Sequence, residues 1–297
     1  MKNETFIVIQ GLKKTIIRWR MLAFVIIFCM IGILGGNFTK KHKNVEVIAR
    51  VKITGPIFNN TFSKEKLKAL KSSNIKGVIL DIDSNGGDVV ESEMLYTFFR
   101  ELSKKKPMVA MIGGSGVSGA YIVAMASDYI VCYNTSIVGS IGVLVQTYEF
   151  TELAKKLGIS LTNYKSSPLK AAPNPFEKTT PDVDMVISQQ INDIYDYFLS
   201  IFIERRKIKI TEAQEIANGQ IYTGRQALEY GLVDKIGSEN ELLEYFREMG
   251  VNVDKINFTD FDIRRNSKKF NFIDVVSNFI KGNGESDNKV MAIYNYQ

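Results

Sequence analysis

The stretch LDIDSNGGDVVESE, residues 80–93, admits two readings that lead to different proteins. Asp81, Asp83 and Asn85 stand at alternate positions with Gly86 next, which resembles a calcium-binding loop. The same residues also read as a strand that stops at a Gly-Gly turn and opens a helix. Spacing decides between them. A twelve-residue calcium loop starting at Asp81 needs a bidentate carboxylate at its twelfth position. That position is Ser92, with Glu91 and Glu93 one residue off on either side, and the ordinarily apolar eighth position is Asp88. The preceding run IKGVILDI is apolar and β-branched, which favours a buried strand over a helix. The sequence therefore predicts a strand, a Gly86–Gly87 turn and a helix from residue 89, without a metal.

Composition narrows the function classes. The chain has 297 residues, 45% hydrophobic and 24% charged, which suits one globular domain of about 200 residues with appendages. The formal net charge is +6, and much of the excess lies in Lys40, Lys41 and Lys43 and in Arg264, Arg265, Lys268 and Lys269. No basic helix face is interleaved with aromatics, so nucleic acid is not an expected partner. Cys29 and Cys132 form neither a disulfide framework nor a thiol pair at metal spacing. The single histidine, His42, lies in KKHK. A Ser-His or Cys-His site, or a zinc site with imidazole ligands, would have to draw on that charged linker. No metal and no organic cofactor is expected.

Residues 21–39, MLAFVIIFCMIGILGGNFT, carry no charge, and Arg18, Arg20 and Lys40 flank them. At about 1.5 Å per residue they span about 28 Å, close to the hydrocarbon thickness of a bilayer. A cleavable leader would want small residues at two alternate positions before its cleavage site; ending at Gly36 or Gly35 puts Leu34 or Ile33 there. An uncleaved transmembrane anchor is the expectation. Lysines and arginines balance across it, so loop charge does not orient it. The chain divides into an N-terminal segment 1–20, the anchor 21–39, a main domain 45–250 and a C-terminal extension 251–297 in which KGNGESDNK reads as flexible.

Strands and helices alternate after the polar linker: VEVIARVKI, a helix near FSKEKLKALKSS, strand 77–82, helix 89–104, strand 107–112, helix 118–127 and strand 129–133. This pattern predicts an α/β fold with parallel pairing. A second group follows, SIGVLVQTYEF, a short helix near 151–157, then ISLTNYKS. Val183, Ile187, Ile191, Ile194, Phe198 and Ile201 recur at three- and four-residue steps and mark one long helix over 181–206. Helices near 211–217, 224–230 and 239–248 complete the domain.

The stretch GGSGVSGAYIVAMASD, residues 113–128, carries a candidate nucleophile. Ser118 falls at a helix start, where unpaired backbone N–H groups favour an anion, although a serine there is also a common cap. Neither Ser115 nor Ser118 fits the G-x-S-x-G elbow. With histidine excluded in practice, a neutral lysine could act as base. NYKSSPLKAAPNP offers Lys165 and Lys170, the latter among Leu169, Ala171 and Ala172; spacing alone does not separate either from a solvated surface charge.

Four segments together, LDIDSNGGDVVES, GVSGAYIVAMASDYI, SIVGSIGVL and GQIYTGRQALEYGLVDKIG, span residues 80–237. They resemble the signal peptide peptidases of the A type (SppA, protease IV), membrane-anchored serine peptidases of the ClpP/crotonase clan. The resemblance implies a ClpP/crotonase-like superhelix of ββα units. It implies Ser118 as nucleophile, Lys170 as general base, Ser140 as the hydroxyl that orients the lysine, and the N–H groups of Gly87 and Gly119 as oxyanion hole. It also implies remnant signal peptides as substrates and a homo-oligomeric ring in which one chain's lysine completes its neighbour's site. By the same resemblance the catalytic domain stands outside the cytoplasm on a single-pass anchor in the inner (cytoplasmic) membrane. Two residues depart from the family pattern: Asn85 stands where proline is usual, and Ala120 where glycine is usual. Alternatives are a clan protease acting on another membrane protein, a non-catalytic membrane scaffold and a crotonase-type acyl-CoA enzyme.

Overall fold

The computed structural model describes residues 19–27, 45–59 and 61–265. The chain divides into two units, Met1–Val45 and Glu46–Gln297. In the first, residues 19–27 form a helix, α1, with Trp19, Phe24 and Ile26 exposed. Among the described residues no helix is long and apolar enough to cross a membrane. Residues 28–39 of the expected anchor lie outside the described residues, as do segment 1–18, linker 40–44 and residues 266–297.

The second unit runs β1 (Val47–Thr54), α2 (Lys64–Ala69), β2 (Ile75–Ser84), α3 (Val89–Ser103), β3 (Met108–Val117), α4 (Gly119–Ala124), β4 (Tyr129–Cys132), β5 (Ile137–Gly139), α5 (Thr151–Lys156), α6 (Pro181–Arg206), α7 (Ile210–Ile216), β6 (Ile221–Thr223), α8 (Gly224–Glu229), β7 (Lys235–Ile236), α9 (Glu239–Glu248) and β8 (Asn257–Phe261). One mixed sheet has the order β6-β5-β3-β2-β1-β8, with β4 on β3 and β7 on β4. Every pair is parallel except β5–β6. The α/β expectation therefore holds.

Strand alternation gives the sheet two apolar faces. Leu80, Ile82, Ala110 and Ile112 meet Leu95 and Phe99 of α3, Tyr121 of α4 and Phe198 and Phe202 of α6. Ile79, Val109, Met111 and Val131 meet Leu242, Tyr245 and Phe246 of α9 on the other face. Helix α3 begins where the sequence places it because Asp88 caps it, accepting from Glu91 N–H at 2.8 Å. Helix α6 starts on the Thr180 cap with Pro181 in its first turn and stops at Lys207 in the left-handed region.

β3 has a split partnership that shapes the site. Its first half pairs with β4 and its last three residues with β5. Between them the β2–β3 register jumps, from Ile82 opposite Ile112 to Ser84 opposite Gly116. Gly113, Gly114 and Ser115 bulge out, and the Asp83 carboxylate accepts the Ser115 N–H at 2.9 Å. Asp83, one of the three residues that suggested a calcium loop, thus secures this bulge.

Two segments differ from the sequence reading. Neither SIGVLVQTYEF, residues 140–150, nor ISLTNYKS forms a strand; β5, Ile137–Gly139, ends just before the first. Gly139 and Ser140 take φ of 102° and 50°, which turns the chain out of the extended conformation. Leu144, Tyr148, Leu157, Leu161 and Tyr164 beyond them are exposed. Residues 251–265, grouped in sequence with the C-terminal extension, instead supply the edge strand β8 and the fully buried Ile263. The domain therefore extends past residue 250 at least through Ile263, with β8 pairing the outer edge of β1.

Candidate active site

The Gly-Gly turn is fastened from three sides. Ser84 Oγ accepts the Gly86 N–H at 3.1 Å. Ile57 donates its N–H to Gly86 O at 2.9 Å and accepts from Asp88 N at 2.7 Å, a parallel bridge astride Gly87. Ser115 Oγ donates to Asn85 Oδ1 at 2.8 Å, so Asn85 is tied to the β3 bulge. Gly87 has φ of 148°, and a Cβ there would stand 2.1 Å from Ile57 O; no side chain fits. Among the described residues the Gly87 N–H donates to nothing.

Ser118 faces this turn. It ends β3 with φ 54° and ψ −129° and makes no side-chain cap bond with α4. A non-glycine residue in this region is strained by about 1–3 kcal/mol and is held by its surroundings. Here the Ser118 N–H donates to Gly139 O at 2.8 Å, and Ser118 O accepts from Tyr121 and Ile122. The Gly119 N–H, at the first position of α4, is also without an acceptor among the described residues. A Cβ built on Gly86 falls 2.7 Å from Gly119 N, and one built on Gly119 falls 3.6 Å from Gly87 N. The two free donors thus lie within a side chain's width of each other beside Ser118. α4 has only six residues, so its direct N–H donors matter more here than a macrodipole.

Ser140 is brought close through the backbone. It follows Gly139, whose carbonyl holds Ser118, and its own N–H donates to Gln220 O at 2.7 Å. Lys170 is not brought in. It is exposed, in a turn closed by Lys170 N–H to Ser167 O at 3.0 Å, and no hydrogen bond links it to Ser118 or Ser140. Lys165 is committed elsewhere: its ammonium pairs with Glu177, which Asn163 also contacts. These two hydrogen bonds hold the Glu177 carboxyl below its ordinary range. Cys132 is buried, which pushes its thiol up to about 11 and leaves it protonated at neutral pH. Among the described residues no three of His, Cys, Asp or Glu group at metal-binding distance.

Sequence reasoning missed Ser92, which is fully buried one helical turn into α3. Its Oγ donates to Asp88 O at 2.7 Å, and a Cβ on Gly119 would meet it at 2.2 Å. It was legible only as Asp88 plus four. The motif GQIYTGRQALEYGLVDKIG is chiefly scaffold. Thr223 caps α8, Leu232 O accepts the buried Tyr121 hydroxyl at 2.7 Å, and Asp234 binds both Ile130 N and Arg206. With Arg205 on Met125 O and Ser127 O, these bonds clamp the far end of α4 and so aim its first residue.

A strained serine at a strand-to-helix turn on a mixed α/β sheet, beside two free N–H donors, marks the class of serine peptidases. Residues 100–254 match peptidase family S49. A protein named as a protease in Methanocaldococcus jannaschii is 37% identical over 67% of this chain and 64% of its own length. One named as a protease in Synechocystis sp. is 35% identical over 70% of this chain and 76% of its own. One named as a signal peptide peptidase SppA in Enterococcus faecium is 30% identical over 72% and 64%. The matched part thus spans less than two thirds of two of these three relatives. The chain belongs to peptidase family S49, as the four motifs implied.

Proposed function

We propose that the chain is a membrane-anchored serine endopeptidase with a Ser/Lys dyad on a ClpP/crotonase-type fold, degrading remnant signal peptides at the outer side of the inner membrane. The observation that carries this reading is the strained Ser118 beside the unengaged Gly87 and Gly119 N–H groups. Ser118 Oγ attacks the scissile carbonyl while a neutral lysine amine takes its proton. The two N–H groups receive the oxyanion, and Ser140 orients the amine. The tetrahedral adduct collapses, the C–N bond breaks, and the lysine returns the proton to the leaving amine. Water, deprotonated by the same lysine, then releases the acyl group.

The lysine is the base in this scheme only when desolvated. In one chain Lys170 is exposed, and so are the apolar side chains of its arm, Tyr164 at 97% and Leu157 at 66%. An apolar surface of this kind supports a homo-oligomeric ring in which a neighbour covers the arm and Lys170 serves the neighbour's Ser118. The test is labelling with a serine-reactive phosphonate and peptide mapping. Label on Ser118, abolished with activity in Ser118→Ala while Ser115→Ala keeps most of both, is the expected result. Label on Ser115 overturns the nucleophile.

A further inference from the structure

Five lysines crowd the end of the sheet opposite the candidate site. In a parallel sheet all strands start at one end, and helices returning between them finish there. At that end α3 runs out into Lys104, Lys105 and Lys106, and the turn before β2 carries Lys71, with Lys76 in the strand's first residues. Lys106 bridges the two, donating to Leu70 O at 2.9 Å and to Ser72 O. Two acids oppose them: Glu46 pairs with Lys76 at 3.1 Å and Glu101 with Lys71 at 4.0 Å. Lys104 and Lys105 are exposed and have no ion pair among the described residues. Burial, and then the charge of Lys76, lowers the Lys106 ammonium from its ordinary range. The fold thus concentrates positive charge here against its own electrostatic interest.

The chain enters the domain through this rim. Val47 N–H donates to Asn74 O at 2.9 Å, and Glu46 is the residue paired with Lys76. Six residues, 40–45, separate Glu46 from the apolar run 21–39. Fully extended they reach at most about 20 Å. If the run is a membrane anchor, the rim cannot stand farther than that from the bilayer surface.

We infer that Lys71, Lys76, Lys104, Lys105 and Lys106 form a docking surface for anionic phospholipid headgroups, which holds the domain with its serine turned away from the bilayer. The inference rests on the anchored reading above. β2 is ten residues long, so at about 3.3 Å per residue Ser84 and the Gly-Gly turn stand about 30 Å from the rim. A substrate then reaches Ser118 only after about nine extended residues have been drawn off the membrane.

The test uses full-length protein with Cys29→Ser, in which the buried Cys132 thiol resists maleimide. A fluorophore is placed through Ser73→Cys at the rim or Asn59→Cys at the opposite end, both exposed. The protein is reconstituted into phosphatidylcholine vesicles with or without about 30% phosphatidylglycerol and a quencher-labelled headgroup. The expected result is at least about twofold more quenching at 73 than at 59, only with phosphatidylglycerol, and lost at about 0.5 M salt. Lys71→Gln/Lys104→Gln/Lys105→Gln should remove it as well. Protein that floats with both vesicles but quenches equally at both positions refutes the docking surface alone. Protein that floats with neither refutes the anchor, and this inference with it.

Discussion

Replacing Gly119 by alanine tests the oxyanion geometry without touching the nucleophile. The added Cβ would stand 2.2 Å from Ser92 Oγ and 3.0 Å from Ser92 Cβ, where ordinary contact begins at 3.4 Å. Ser92 cannot swing away, because it is fully buried and bonded to Asp88 O. α3 and α4 must therefore part by about 1 Å, and Gly87 N, one residue before the α3 cap, moves with α3. A misplacement of about 1 Å in a catalytic group costs on the order of 10²-fold in rate, within the range for loss of one oxyanion donor. We expect Gly119→Ala to lower kcat about a hundredfold with KM nearly unchanged, since the donors act on the transition state. Overpacking should also cost about 1–3 kcal/mol of stability. The decisive part is relief from the other side. Ser92→Ala in the Gly119→Ala background removes the 2.2 Å clash and leaves the 3.0 Å one; Ser92→Gly removes both. Activity should recover in that order. The assay is steady-state cleavage of a fluorogenic apolar peptide, with thermal unfolding alongside. Full activity in Gly119→Ala, or no recovery when Ser92 is trimmed, would show that the Gly87–Gly119 spacing does not set the rate.

Three further outcomes follow from the same contacts. Mixing Ser118→Ala with Lys170→Ala protomers should restore part of the peptidase activity that neither has alone. A mixed oligomer that forms without activity places the dyad within one chain, and a dead Lys165→Ala beside an active Lys170→Ala moves the base to Lys165. Tyr121→Phe leaves the buried Leu232 carbonyl without its 2.7 Å donor, so calorimetry should show a loss of about 1–3 kcal/mol, a few degrees of Tm for a domain of this size; an unchanged Tm would mean that the bond does not hold α4. Burial raises the Asp81 carboxyl above its ordinary range despite Arg50 and Lys52, with Asp260 and Glu239 adding to the rise. Its stabilising, protonated form is present below the ordinary aspartate range and lost as pH rises through the raised value. Asp81→Asn should therefore raise Tm at neutral pH, with the gain vanishing below about pH 4; a gain equal at both pH values refutes the charge argument.

Local chemistry made much of this protein legible as a string. Strand IKGVILDI, the Gly-Gly turn and the long amphipathic helix each carry their signal within a few residues, because period and the demands of positive φ are local. The same locality exposed the calcium reading as a coincidence of spacing at Ser92. The pairing of Ser118 with Gly87 and Gly119 was expected only through likeness to a family, since nothing in the spacing of residues 87 and 118 brings them together.

Tertiary structure decided what depends on partners distant in sequence. The bulge at Gly113–Ser115 exists because β3 must serve both β4 and β5. Ser92 matters because α3 packs its first turn against Gly119. β8 belongs to the domain because β1 had an open edge, and no composition shift at residue 250 could report that. Among the described residues the arm around Lys170 pairs with no strand, so its apolar pattern does not become one. By itself the sequence determined the elements, the turn and the candidate residues, whose signals are short-range. The register, the clamp on α4 and the spacing of the two donor N–H groups came from long-range packing, where each contact depends on all the others.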